Sequence, residues 1–76
     1  MKMTVNGQDP FIAPAPTFAI GQTSAGFTLE YSVDGENFTE WDEATDASTD
    51  VVVSNAVPGM FMRLKGNADS GVEVMY

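Results

Sequence analysis

The acidic residues of this 76-residue chain are its main candidates for catalysis or ion binding, and they are concentrated in one segment. Eight of the eleven Asp and Glu residues lie between Glu30 and Asp50. Paired carboxylates can hydrolyse glycosides when they stand roughly 5–10 Å apart across a bound sugar. A chain this short buries only about 60% of its unfolded surface, which leaves no room for a deep catalytic cleft. We therefore expect these acids to be non-catalytic.

The acidic loop at residues 42–50 also has the oxygen ligands that calcium prefers. A calcium loop of the EF-hand type needs Gly at its sixth position and Glu at its twelfth. Counted from Asp46, those positions hold Val51 and Val57. The pattern favours a solvated polar loop, and weak cation binding stays open as the alternative.

The chain lacks the residues that most often act as nucleophiles or bases in enzymes. The chain has no histidine and no cysteine, which removes imidazole bases, thiolate nucleophiles, His or Cys metal ligands and disulfides. No Ser or Thr has a His, or a well-placed Lys, to activate it. The sequence predicts that the protein is not an enzyme and carries neither a cofactor nor a metal.

Charge and hydropathy limit the partners. The net charge of −8 repels phosphate backbones and anionic lipid, so nucleic acid and membranes are not expected partners. The residues after Lys2 are too polar for a signal peptide, and no apolar run approaches the roughly 20 residues of a membrane span. These features predict synthesis in the cytoplasm without export.

Strands must position any functional side chain, because the apolar residues recur with a period of two and not with a helical period. The alternation is clearest at residues 27–33, 60–65 and 72–76. Short apolar runs at 17–20 and 51–54 add two strands, and residues 2–5 and 38–41 are the remaining candidates. The chain is thus predicted to be all-β, with an N-terminal arm or edge strand at 1–16 and a β-sandwich domain at 17–76.

A tight hairpin is predicted at Asp34-Gly35. A two-residue type I′ turn needs positive φ at both central positions, which Asp tolerates and Gly accepts freely. Such a turn places Tyr31 opposite Phe38 on the core face. Trp41 then falls on the opposite, outer face.

Two segments resemble a known sandwich family. Residues 27–41 look like the C to C′ hairpin of fibronectin type III-like, immunoglobulin-like modules, and residues 57–67 resemble the E–F corner and F strand. Met60 stands where that family carries its corner tyrosine. The resemblance implies a small antiparallel sandwich of six or seven short strands. It implies little about activity, because such sandwiches serve adhesion, ligand binding and virion assembly alike.

An outer sheet face is the first candidate interaction surface. Strand G would be the last predicted strand, at residues 72–76. If strands C, C′, F and G share a sheet, the alternation sends Trp41, Phe61 and Met75 outward beside Arg63. Large apolar side chains and Arg exposed together are typical of protein interfaces. The alternative is that a bulge after Phe38 turns Trp41 inward and that the N-terminal segment covers the other two apolar residues.

The proline-rich strap at residues 9–16 is the second candidate. Its three prolines favour an extended path, while Phe11 and Ile12 favour burial. The strap either lies along its own sheet edge, where it blocks aggregation, or reaches a neighbouring subunit.

These features predict a structural protein that acts through protein–protein interaction. The leading hypothesis is a bacteriophage virion component, such as a capsid decoration or head-associated protein, docking on neighbouring subunits or forming a homo-oligomer. The predicted partner-binding residues are Phe11, Ile12, Trp41, Phe61, Arg63 and Met75. The alternative is a carbohydrate-binding or adhesive module in which Trp41, with Tyr31 or Phe61, stacks on a glycan. A DNA mimic ranks last, because the acids cluster in one hairpin and loop.

Overall fold

The computed structural model describes the backbone of residues 1–76 and the side chains of residues 1–42 and 44–76. Over that range the chain forms eight strands. They are β1 (Lys2–Val5), β2 (Phe11–Ile12), β3 (Phe18–Ile20), β4 (Phe27–Ser32), β5 (Thr39–Thr45), β6 (Val51–Val53), β7 (Phe61–Lys65) and β8 (Val72–Met75). No helix long and apolar enough to cross a membrane occurs in the described residues.

The strands form two antiparallel four-stranded sheets with the orders β1-β8-β3-β6 and β2-β7-β4-β5. Each strand of the first half pairs with one of the second half: β1 with β8, β2 with β7, β3 with β6 and β4 with β5. The chain therefore folds as one long hairpin with its tip between β4 and β5. Successive strand pairs along this hairpin belong alternately to the first and the second sheet. Further pairing of β3 with β8 and of β4 with β7 completes the sheets. This is a jelly-roll arrangement.

The predicted all-β antiparallel sandwich is confirmed. Its strand order agrees with that of immunoglobulin-like sandwiches in part and differs at the last strand. The neighbours β3–β6 and β4–β7 correspond to the B–E and C–F neighbours of immunoglobulin-like sandwiches. The last strand differs, because β8 lies between β1 and β3, whereas an immunoglobulin-like last strand lies beside F. The condition that C, C′, F and G share one sheet therefore holds for β4, β5 and β7 but not for β8.

The core lies between the sheets and is built by the period-two residues. The largest fully buried apolar side chains come from five strands. They are Ile20, Leu29, Val53, Met62, Leu64 and Val74. The rings of Phe11 and Phe18 close part of the core edge-to-face, with centroids 6.4 Å apart.

Residues 1–16 pair within the sandwich. Strand β1 is an edge of the first sheet and β2 an edge of the second. After β2, the Ala13 N–H donates to the Met60 carbonyl at 2.9 Å, and the Ala56 N–H donates to the Pro16 carbonyl at 3.0 Å. Proline lacks an N–H and is confined to strand edges and ends, which is consistent with a β2 of only two residues between prolines.

The β4–β5 connection is wider than the predicted turn. Tyr31 lies opposite Thr39, so the loop spans residues 33–38 and the predicted pairing with Phe38 is wrong. The Ser32 hydroxyl accepts the N–H groups of Asp34 and Gly35 at 3.2 and 2.9 Å. These side-chain bonds replace the backbone pairing of a two-residue turn. A type I′ turn would need positive φ at both Asp34 and Gly35, but of these two residues only Gly35 has a positive φ, at 80°.

Candidate functional site

The outer face of the β2-β7-β4-β5 sheet carries the first candidate surface. Met62 and Leu64 are fully buried, so the alternation of β7 points Phe61 and Arg63 away from the core. Ile12 lies opposite Phe61 across the β2–β7 pair. The side chain of Ile12 is 45% exposed, which leaves apolar surface open to solvent.

Arg63 is held in place by two neighbours. Its Nε donates to Glu30 Oε1 at 2.6 Å, and its guanidinium carbon lies 4.1 Å from the centroid of the Phe38 ring. Glu30 and Arg63 are directly opposite each other on β4 and β7, so the sheet register itself creates this ion pair. The arginine therefore connects β4, β7 and the residue before β5.

The β4–β5 loop packs on the same face. A Cβ built on Gly35 would stand 3.3 Å from the Phe61 ring, so the loop backbone lies against this aromatic side chain and half-buries it. Together with Ile12, Arg63 and Phe38, Phe61 forms a mixed apolar and charged surface, which we call the outer patch.

The predicted partner-binding residues divide between locations. Ile12, Phe61 and Arg63 come together in the outer patch. Phe11 lies in the core, because adjacent residues of a strand point to opposite faces and Ile12 takes the outer one. Met75 lies opposite Lys2 and Ala19 in the other sheet. The structure thus places Phe11, a predicted partner-binding residue, in the core of its own chain, and the grouping of Met75 with the patch is corrected.

Trp41 belongs to a separate site at the open edge of the sandwich. Between the pairs Thr28–Ala44 and Glu30–Glu40, one residue of β4 faces three residues of β5. The pairs Tyr31–Thr39 and Glu30–Glu40 already turn Trp41 to the core side by alternation, where it packs against the core. The bulge that follows Glu40 bends the rest of β5. The predicted outward orientation is wrong, and the inward alternative is the one observed.

A cavity of about 350 Å³ opens beside Trp41, where the edge strand β5 of one sheet meets the end of β6 from the other. We call it the edge pocket. Its lining residues are Tyr31, Glu40, Trp41, Asp42, Ser54 and Asn55. The rings of Tyr31 and Trp41 meet edge-to-face with centroids 5.3 Å apart.

Sequence reasoning missed the patch role of Phe38 and the pocket role of Asn55. A tight-turn register placed Phe38 in the core, and correcting the register by one residue moves it to the outer face. Asn55 follows the apolar run of β6 and carries a positive φ of 63°. Asn is one of the few residues that adopt this conformation readily, so its position after a strand was the available signal.

Several other acids of the chain have structural roles. Asp46 accepts the hydroxyl and the N–H of Ser48, and Asp69 accepts those of Ser24; these bonds lower the pKa of both carboxyls. Hydrogen bonds from the backbone of Asn37 and then of Glu36 hold the pKa of Asp34 far below its usual range.

Among the side chains that the structure describes, no three acidic groups converge to hold a metal ion. Comparisons of the chain with protein-family models, with curated proteins and with solved structures give no significant match in any of the three.

Proposed function

We propose that the protein is a non-catalytic interaction module that docks on a neighbouring protein subunit through its outer patch. The observation that carries this proposal is the patch itself, in which exposed Ile12 and half-buried Phe61 adjoin the ion-paired Arg63. Aromatic residues and arginine dominate the binding energy of protein interfaces. Because Glu30 already orders this arginine, docking loses less side-chain entropy than it would with a mobile one.

The charge of the chain specifies the chemistry of the partner. Glu36 is exposed next to Gly35, which packs on Phe61 of the patch, Arg63 is already paired, and the net charge is −8. A complementary surface is therefore apolar at its centre and basic at its rim. The domain measures 28 × 25 × 20 Å, so one full face approaches the roughly 800 Å² that each partner buries in a standard interface.

The assembly that we propose is a virion, with this protein as a capsid decoration or head-associated component of a bacteriophage. A compact acidic domain with one apolar face can cover a shell protein while its acidic loops remain in solvent. Docking of this kind needs no catalytic residue or cofactor. Self-association through the same patch is the competing arrangement, and it gives a discrete oligomer in the absence of any shell.

The test is co-assembly with the major shell protein encoded in the same genome. We expect the wild-type chain to co-sediment with assembled particles at a fixed ratio to the shell protein. Ile12→Glu places a charge in the patch and should abolish co-sedimentation. Val52→Glu is the matched control, because Val52 is 61% exposed on a strand of the other sheet, and it should co-sediment normally.

Two results would contradict docking through the patch. One is a wild-type chain that stays in the supernatant while particles form. The other is equal incorporation of wild type and Ile12→Glu. Light scattering of the isolated chain separates the homo-oligomer, which would be lost in Ile12→Glu and retained in Val52→Glu.

A further inference from the structure

We infer that the edge pocket is a binding site for a neutral carbohydrate, with a sugar ring packed against Trp41 and its hydroxyls held by the polar residues around it. This goes beyond docking, because the pocket and the outer patch share no residue among those named for each. Four features of the pocket favour a sugar: its shape, its aromatic side chains, its hydrogen-bonding groups and its charge.

The shape suits a small ligand. A volume of about 350 Å³ is at the lower end of the range for small-molecule sites, about 300–1,000 Å³. The pocket lies between the edges of two sheets, so one side stays open to solvent. A site of this size takes one or two sugar units, and further units of a longer glycan would extend outward.

The aromatic residues provide a fixed apolar surface. Trp41 is half-buried and packs against the core. Its ring meets that of Tyr31 edge-to-face, with the two centroids 5.3 Å apart. A ring held in this way loses little entropy when a ligand packs on it. A pyranose ring has an apolar face of C–H groups and a polar rim of hydroxyls, and it matches a pocket with an aromatic centre and polar walls.

The polar residues of the pocket have hydrogen-bonding capacity to spare. Asp34, Asp46 and Asp69 are occupied by hydrogen bonds from nearby backbone and hydroxyl groups. Within the described side chains, Glu40, Asp42, Ser54 and Asn55 make no such bonds to the protein, yet all four line the pocket.

Carboxylates accept hydrogen bonds, an amide donates and accepts, and a hydroxyl does both. Neighbouring sugar hydroxyls present the same combination of donors and acceptors. The polar wall of the pocket is therefore complementary to a sugar rim.

The charge of the pocket excludes anionic ligands. Glu40 and Asp42 are among the lining residues and no basic residue is, so phosphates and uronic acids are repelled. An alkylammonium group is the other chemistry that carboxylates and aromatic rings attract. Tyr31 and Trp41 are in direct contact and leave no space for a cation between their rings, so the geometry favours the neutral sugar.

The backbone is unusual at the same place. Of the residues that the structure describes, the non-glycine positions with positive φ are Asp42, at 38°, and Asn55, at 63°. Both line the pocket, and the bulge of β5 ends beside it. Bulges and sparsely populated φ values concentrate where a fold positions functional side chains, and both occur at the edge pocket.

The experiment is an NMR titration of the ¹⁵N-labelled full chain. The probes are glucose, galactose, mannose, N-acetylglucosamine and cellobiose, each up to about 50 mM, because a weak single-unit ligand binds with a Kd on the order of 1 mM. Glucuronate and tetramethylammonium chloride are the charged controls. We expect at least one neutral sugar to shift the Trp41 indole and Asn55 amide resonances in a saturable manner.

Variants locate the binding. Asn55→Gly removes the side-chain amide while keeping the positive φ accessible, and it should weaken binding at least fivefold without affecting the fold. Val57→Ala, at an exposed position outside the pocket, should bind as the wild type does. Trp41→Phe keeps the core contact with a smaller ring and should also weaken binding.

Three outcomes would overturn the inference. They are the absence of saturable shifts with every neutral sugar, shifts caused only by tetramethylammonium, and binding that Asn55→Gly leaves unchanged. Ile12→Glu should bind sugar normally, so failure of the docking proposal and failure of this one are distinguishable.

Discussion

Replacing Arg63 by Met tests the ion pair that organises the outer patch. Glu30 has a side chain only 7% exposed, and its partner Arg63 is 35% exposed. Methionine keeps an unbranched apolar stem of similar length but leaves the Glu30 carboxylate without its cation. Removing one partner of a buried pair costs about 3–5 kcal/mol.

The exposure of Arg63 reduces that figure, because water can reach the carboxylate from the same side. We therefore expect about 2–3 kcal/mol from the unpaired carboxylate. Loss of the cation–π contact with Phe38 adds about 0.5–1 kcal/mol. The sum is about 3 kcal/mol, which corresponds to a fall in Tm of roughly 12–24 °C for a domain of this size.

The assay is urea unfolding followed by fluorescence of the single tryptophan, Trp41. Its half-buried position against the core makes its emission sensitive to unfolding. Lys2→Met is the matched control, because it removes the 3.2 Å pair with Glu73, whose side chains are 69% and 51% exposed. Exposed pairs contribute about 0–1 kcal/mol.

The double variant Glu30→Met/Arg63→Met separates the orphaned charge from lost packing. With both charges removed, no carboxylate is left buried, so the double variant should be more stable than Arg63→Met alone. We expect a coupling free energy of about 2 kcal/mol or more. A loss in Arg63→Met no larger than that in Lys2→Met would refute the reasoning, since Glu30 would then be well solvated without its partner.

Three further substitutions have effects whose direction the structure sets. Gly26→Ala puts a Cβ 2.6 Å from a backbone oxygen of β5 at a φ of 74°, and should lower the urea-unfolding free energy by about 3 kcal/mol or more. Gly59→Ala, at a φ of 95° with open space around it, should cost only about 1–2 kcal/mol. Because the backbone N–H groups of Asn37 and Glu36 lower the pKa of Asp34, its stabilising effect is present above about pH 4 and lost in stronger acid. Asp34→Asn should therefore make Tm, measured by circular dichroism, fall less steeply between about pH 4 and pH 2 than in the wild type.

The period-two pattern identified the buried faces well because alternation is a local property. Leu29, Met62, Leu64 and Val74 belong to the alternating runs and are fully buried. The same pattern carries no information about which strands are neighbours. The pairing of Lys2 with Met75 joins residues from opposite ends of the chain, so the jelly-roll position of β8 could not be read from either strand.

Two short features escaped prediction for a related reason. Strand β2 has only two residues, which is too few to show a period. The bulge of β5 interrupts the alternation between Glu40 and Ala44, and an interrupted pattern looks the same as a loop. The outer patch was partly predictable, since Phe61 and Arg63 alternate with buried neighbours, whereas the edge pocket depends on this bulge.

The loop between β4 and β5 determines which aromatic side chain lies in the outer patch and which lies in the edge pocket. Had the chain formed a two-residue turn, Phe38 would face the core and Trp41 the outer surface. The hydroxyl of Ser32 and the carboxylate of Asp34 cap the backbone of a wider loop, and the register moves by one residue. Phe38 then lies against Arg63, and Trp41 lies beside Tyr31 in the edge pocket. A register shift exchanges every side chain between the faces, so two polar residues of one loop place one aromatic in the outer patch and the other in the edge pocket.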